Sequence, residues 1–354
     1  MTAKVRRWTA AAVGVALLGG GVVAATSAQA SPDLPARSAE QLLVDIQSPT
    51  TRTFSGTVQT TTDLGLPTLP TTQTGDTSGL TGLLTGTHTL RVWNDGDTRS
   101  RVSVIGNNAE TSVIRSGADV WTYASADRSA THTRLTTPTT PQHPQPSGAA
   151  TTPEQAAQQV LAAVGPSTSV TTRGASRVAG RPAYDLVFTP AAGEKTLVRS
   201  AQVAIDAETH LVLQVTVDAV DAKDHAVQIG FTSLTYATPD AKLFTFSAPS
   251  GTTVKEQPAP EASKQGQGGT SAEKPKVVGD GWDTVLVEKV GTLPADTSAQ
   301  GQQAKQLLES LPRVSGSWGS GRLLQGTLFS AVLTDDGRLA VGAVPADQLF
   351  SALG

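Results

Sequence analysis

Between Val178 and Val254 the sequence runs through three or four segments of alternating apolar and polar residues, joined by short polar turns. In an extended strand successive side chains point to opposite faces. Leu211, Leu213, Val215, Val217 and Ala219 therefore share one face, with Gln214, Thr216 and Asp218 on the other. Val212 and Val220 interrupt the pattern. Val227, Ile229 and Phe231 repeat it one strand later, and Asp206–His210 suits a hairpin connection. Such a stretch reads as one wall of an antiparallel sheet whose apolar face must be covered. Aromatic residues make up only 4% of the chain, so Val, Leu, Ala and Ile must fill the core.

The residues before this wall supply the covers. Ser38-Ala39-Glu40-Gln41 has the capping-box pattern, in which the Ser oxygen and the Gln side chain satisfy free amides reciprocally. It opens a short helix with Leu42, Leu43 and Ile46 on one face, closed before Pro49. Thr152, Pro153 and Gln155 open a second helix, whose apolar face is Ala156, Ala157, Val160, Leu161 and Val164. Between the helices, Phe54–Thr62 alternates as a strand. Thr87–Trp93 and Asp97–Ile105 form a hairpin around Asn94-Asp95-Gly96, and Glu110–Arg115 and Val120–Ala124 form another. Leu64–Gly86 is rich in Gly, Pro and Thr yet carries six leucines. It reads either as a long connection or as a flap over an apolar opening.

The chain is long enough for two domains. Lys4, Arg6 and Arg7, the apolar run Ala10–Ala25 and the small residues Ala28 and Ala30 together form a signal-peptide pattern over residues 1–30. Cleavage would leave Ser31 first; an uncleaved N-terminal membrane anchor is the alternative. Lys255–Lys276 is polar and charged and reads as a flexible linker. Residues 31–254 and 277–354 are then separate modules. The second is α+β: a strand over Asp283–Val290, a helix over Ala299–Leu311, a hairpin around Asp335-Asp336-Gly337 and a short helix Asp347–Leu353.

Little here suggests chemistry. The net charge is -3, and it falls to about -6 without the three N-terminal cations, so nucleic acid is a poor partner. Cysteine is absent, which removes disulfides, thiolate metal sites and Cys nucleophiles. The five histidines, His88, His132, His143, His210 and His225, form no H-x-H or H-x-x-x-H pair. Asp95 and Asp97 are too few oxygen ligands for a calcium loop, and the turn alone explains them. Gly266, Gly268 and Gly269 sit in the linker, without the strand and helix that a phosphate loop needs. Ser315–Gly321 lacks the G-x-S-x-G spacing of a nucleophile elbow. No cofactor is expected, and the chain reads as a binder that transforms nothing.

Three phrases, in order, carry a family resemblance. They are Val178-Ala179-Gly180-Arg181-Pro182-Ala183-Tyr184-Asp185-Leu186, Ala204-Ile205-Asp206-Ala207-Glu208-Thr209 and Leu243-Phe244-Thr245-Phe246-Ser247-Ala248-Pro249-Ser250-Gly251. With the leader and the capped helices, residues 36–254 resemble the superfamily of LolA, LolB, LppX and RseB. The resemblance implies a mainly β fold with some helix, an unclosed, curved antiparallel β-barrel plugged by helices. It also implies a lipid, acyl chain or lipidated protein as ligand, carried by an exported monomer that is secreted or held in the cell envelope or a periplasm-like space. The added module is closer to RseB, and implies a regulator that binds an anti-sigma factor or another envelope membrane protein. Alternation offers Leu80, Leu83, Leu84, Trp93, Trp121, Tyr123, Leu213, Val215 and Phe231 as cavity-lining residues, subject to strand register.

Overall fold

The centre of the fold is a pairing that no hairpin supplies. Strand β1 (Thr53–Thr62) runs antiparallel to β11 (His225–Thr235), joining halves of the chain far apart in sequence. In the computed structural model, residues 32–66, 83, 85–106, 108–135, 152–162, 165, 167–258, 275–290, 305–306 and 308–354 are described. Residues 31–354 belong to one compact unit.

From β1 the sheet grows outward through a meander of local hairpins: β2 (Gly86–Asp95), β3 (Arg99–Ile105), β4 (Glu110–Ser116), β5 (Asp119–Ala124) and β6 (Ser129–Arg134). On the other side of β11 lie β10 (Val212–Ala219), β9 (Val198–Asp206), β8 (Arg181–Pro190) and β7 (Thr168–Val178). Ala179 and Gly180, with φ 50° and 78°, turn β7 into β8. A twelfth strand, β12 (Thr253–Pro258), returns to pair in parallel with β6. A parallel partner needs a crossover, which the residues between β11 and β12 provide. The sheet is mixed and not closed, since β12 and β7 stand at its two ends.

Both early helices form as the capping patterns require. Helix α1 spans Ala39–Gln47; the Gln41 amide donates to Ser38 Oγ (3.3 Å), and the Ser38 amide donates to Gln41 Oε1 (3.0 Å). Helix α2 spans Pro153–Ala162, and the Gln155 amide donates to Thr152 Oγ1 (3.2 Å). Leu42 of α1 and Ala156, Ala157 and Val160 of α2 enter one apolar cluster with Val58, Leu90, Leu186, Val203 and Val215 of the sheet. Leu161's side chain and Val164 lie outside the described residues.

A second sheet of six strands is antiparallel throughout, in the order β13-β14-β18-β17-β16-β15. Its strands are β13 (Lys276–Val278), β14 (Val285–Lys289), β15 (Arg313–Gly316), β16 (Gly319–Gln325), β17 (Ser330–Thr334) and β18 (Arg338–Gly342). The helix Ala346–Leu353 covers one face, with Leu349, Ala352 and Leu353 packed on Val285, Val332 and Ala340. Ser315–Gly321, the Gly/Ser stretch around Trp318, is the hairpin joining β15 to β16, and Trp318 stacks on Phe350 at 5.5 Å.

Composition alone misplaces one boundary. Lys255–Pro258, expected in a linker, are the last residues of β12, because backbone pairing to β6 needs no apolar side chains. Residues 259–274 lie outside the described residues. The second sheet is also tied to the first. Trp282 is buried in the large cluster, and its Nε1 donates to Thr168 Oγ1 on β7 (2.8 Å). The Leu197 amide and Thr196 Oγ1 both donate to Ala343 O at 2.8 Å, and the Thr327 amide donates to Leu64 O at 2.7 Å. Of the helix expected over 299–311, residues 305–306 and 308–310 are helical, and 299–304 lie outside the described residues.

Candidate functional site

Strand register decides which expected lining residues share a space. One row across the sheet reads Thr111, Val104, Leu90, Val58, Phe231. The next reads His88, Thr60, Ile229, Val215, Val203, Leu186. These rows lie on the face that receives α1 and α2. Val215, Leu213 and Phe231 are buried there, Phe231 meeting Phe54 edge-on at 5.8 Å. Leu83 joins the same cluster, and its carbonyl accepts from Thr62 Oγ1 (3.1 Å). Leu80 and Leu84 lie outside the described residues.

Trp93, Trp121 and Tyr123 are on the other face. A third row reads Trp121, Ile114, Arg101, Trp93, Ser55, and a fourth starts Tyr123, Ser112, Ser103, Arg91. The seven described residues therefore do not line one space. Alternation groups residues within a strand, but it does not say which group meets the helices. The far face has its own cover. A 3-10 turn, Ala241–Phe244, crosses β3 and β4 and buries Phe244; Phe246 then lies 5.0 Å from Trp121 and 5.5 Å from Tyr123. Trp93 instead carries the Arg101 guanidinium 5.7 Å above its ring.

The turn Asp206–His210, read from sequence as a plain polar connection, is where four elements meet. The Asp206 carboxylate has no exposed surface. It accepts from Arg181 Nε and, at 3.1 Å, from Arg181 Nη2; the amides of Glu208 and Thr209 add bonds of 2.9 and 2.8 Å. Arg181 also reaches Glu208 (2.9 Å) and sits 4.6 Å over the Tyr236 ring, whose hydroxyl pairs with Thr209 Oγ1 (2.8 Å). Thr50, just after α1, donates its amide to Thr209 O (2.9 Å), and His210 Nδ1 stands 3.7 Å from Asp45 of α1. Burial pushes the Asp206 carboxyl up, but Arg181 and the two amides outweigh it and hold the group below the usual carboxylate range. Burial drives the Tyr236 phenol up to about 12. Arg181 and Asp206 come from two of the three resemblance phrases, so those phrases encode a structural staple. Sequence spacing carried no sign of it, because the partners are 25 residues apart and meet only once β8 pairs with β9.

Hollows at the described surface include two. One, of about 600 Å³, lies against α1 beside Arg37, Gln41 and Val44. The other, of about 410 Å³, lies among Lys276, Lys289, Asp336 and Arg338 of the second sheet. None of the seven expected lining residues that are described borders either one. Among the described residues no group of three or more His, Asp or Glu side chains is placed to hold a metal ion. Nor is any described helix long and apolar enough to cross a membrane.

No family model matches the sequence, and no curated protein matches it. Solved structures do resemble it. A chain of the MucA/MucB complex of Pseudomonas aeruginosa gives a TM-score of 0.46 at 16% identity, covering 89% of this chain and 96% of that one. MucB in complex with MucA(peri) gives 0.45 at 16% identity, covering 89% and 97%. A LolA superfamily protein of Nitrosomonas europaea gives 0.23 at 10% identity, covering 60% and 99%. The chain thus has structural similarity to MucB and to LolA superfamily proteins, at low sequence identity.

Proposed function

We propose that this chain is an exported, non-catalytic binding protein of the cell envelope, and that its partner is another envelope protein. The filled apolar face carries this reading. A carrier must offer its sheet's apolar face to an acyl chain, which gains about 0.8 kcal/mol per buried CH₂. Here Leu213, Val215, Phe231 and Leu83 are already buried in one cluster with Leu42 of α1 and Ala156, Ala157 and Val160 of α2. The helices act as the plug of a curved half-barrel, and the second sheet extends the binding body through Trp282. MucB, with which the fold shares its outline, was solved with MucA as partner. Residues 1–30 serve as the export signal, cleaved before Ser31, and the mature chain is a monomer.

The test starts from the mature chain purified under native conditions and extracted with organic solvent. Mass spectrometry is expected to find no stoichiometric acyl lipid, and cross-linking in the envelope of the producing cell followed by reconstitution with the purified partner domain is expected to give a defined complex. One lipid per chain would replace the partner reading with the carrier reading. N-terminal sequencing of the exported chain checks the cleavage at Ser31.

A further inference from the structure

Strand β12 is held differently from every other strand of the large sheet. All six of its residues are exposed, and β6 is its one pairing strand. No apolar side chain of β12 enters either described core cluster, and Val254 is 43% exposed. Apart from the backbone ladder, among the described residues one side-chain bridge ties it down. On β6, His132 places Nδ1 2.8 Å from Glu256 of β12 and Nε2 3.0 Å from Asp119 of β5. The ring is fixed by stacking on Trp121, with centroids 4.2 Å apart and planes 15° from parallel, while Phe246 packs on the same Trp121.

We propose that His132 is a proton-operated latch on β12: its imidazolium bridges Asp119 and Glu256 and holds the edge strand on β6, and deprotonation loosens it. The chemistry follows from the two nitrogens. The imidazolium donates both N–H groups, one to each carboxylate. When the proton leaves to solvent, one N–H remains and the other nitrogen turns a lone pair toward a carboxylate. The charged groups around the ring are Asp119 on β5 and Glu256 on β12; Arg134, two residues along β6, is in register with Asp119 and Pro258. Phe246 and Trp121 contribute no charge. Burial lowers the affinity of the ring for its proton, but the two carboxylates more than offset it and hold the ring above the ordinary His value. A raised folded value means the latch is complete below the unfolded His value and is lost as pH rises through the folded one. Loosening bares the N–H and C=O groups along the β6 edge. Glu256 is 74% exposed, so the effect is that of a screened pair, about two- to fivefold in strand opening.

Hydrogen–deuterium exchange of the full mature chain at about pH 5.5 and about pH 8 reads the latch directly. After correction for intrinsic exchange, peptides covering 253–258 are expected to open about two- to fivefold more at the higher pH. Glu256→Gln and His132→Gln are each expected to bring that ratio to about one. Glu256 lies on the exposed strand, so E256Q keeps the test open even if H132Q does not fold. A ratio of about one in the unmodified chain overturns the latch, as does an undiminished ratio in E256Q.

Discussion

Replacing Asp206 by alanine removes the acceptor at the meeting point of β8, β9, β10 and the end of β11. The loss has two parts. Two backbone amides, of Glu208 and Thr209, lose the carboxylate they donate to at 2.9 and 2.8 Å. Arg181 loses both bonds to Asp206, and its 25% exposed side chain keeps only the outer Glu208 at 2.9 Å. Removing one partner of a buried pair costs about 3–5 kcal/mol, and partial exposure of Arg181 places this case near the lower end, about 3 kcal/mol. Asp206→Asn retains an oxygen for the amides and loses the charge, so about 1–2 kcal/mol is expected. The pH dependence has a definite sign. The folded carboxyl is depressed, so its stabilisation is present above the unfolded value of about 3.9 and fades as pH falls through the folded one. D206N should therefore lose less stability on acidification than the unmodified chain. Urea unfolding followed by tryptophan fluorescence at neutral and acidic pH measures both effects. A cost for D206A below about 1 kcal/mol refutes the staple, as does full additivity with Arg181→Met in a double-mutant cycle.

Other substitutions test separate parts of the packing. Trp282→Ala removes a buried ring and its bond to Thr168, so a loss of about 3–5 kcal/mol is expected, with faster proteolytic cleavage between the two sheets. Thr60 is 1% exposed and its hydroxyl has no hydrogen-bond partner among the described residues. Thr60→Val should raise stability by about 1 kcal/mol in chemical denaturation, and a clear loss would reveal a partner for that hydroxyl. A Cβ on Gly56 would stand 2.4 Å from Ser233 O and 2.9 Å from Phe231 Cδ1. Gly56→Ala should therefore cost about 1–3 kcal/mol through displaced β1–β11 packing, and an unchanged melting temperature would contradict that.

Local features were legible in the sequence because their causes are local. The Ser38 and Thr152 caps, the hairpins around Gly96 and Gly117, and the alternation of β10 each depend on residues a few positions apart. Strand β6 was missed because Ser129–Arg134 has almost no apolar alternation; its place comes from pairing with β5 and β12. The lining residues offered by alternation divide at a different level. Trp121 shares a face with Tyr123 and Leu213 with Val215, and the two groups face opposite ways.

The sequence by itself determined the alternating strands, the capped helices and the residues that share a face within each such strand. It also contained the phrases holding Arg181 and Asp206. The tertiary structure decided what those residues meet. It paired β1 with β11, put α1 and α2 on one face and the Phe244–Phe246 segment on the other, and carried Trp282 into the first sheet's core. The physical reason is that period-two alternation is symmetric between the two faces of a sheet. Only contacts between residues far apart in the chain break that symmetry, and a filled or open apolar face follows from which way it breaks.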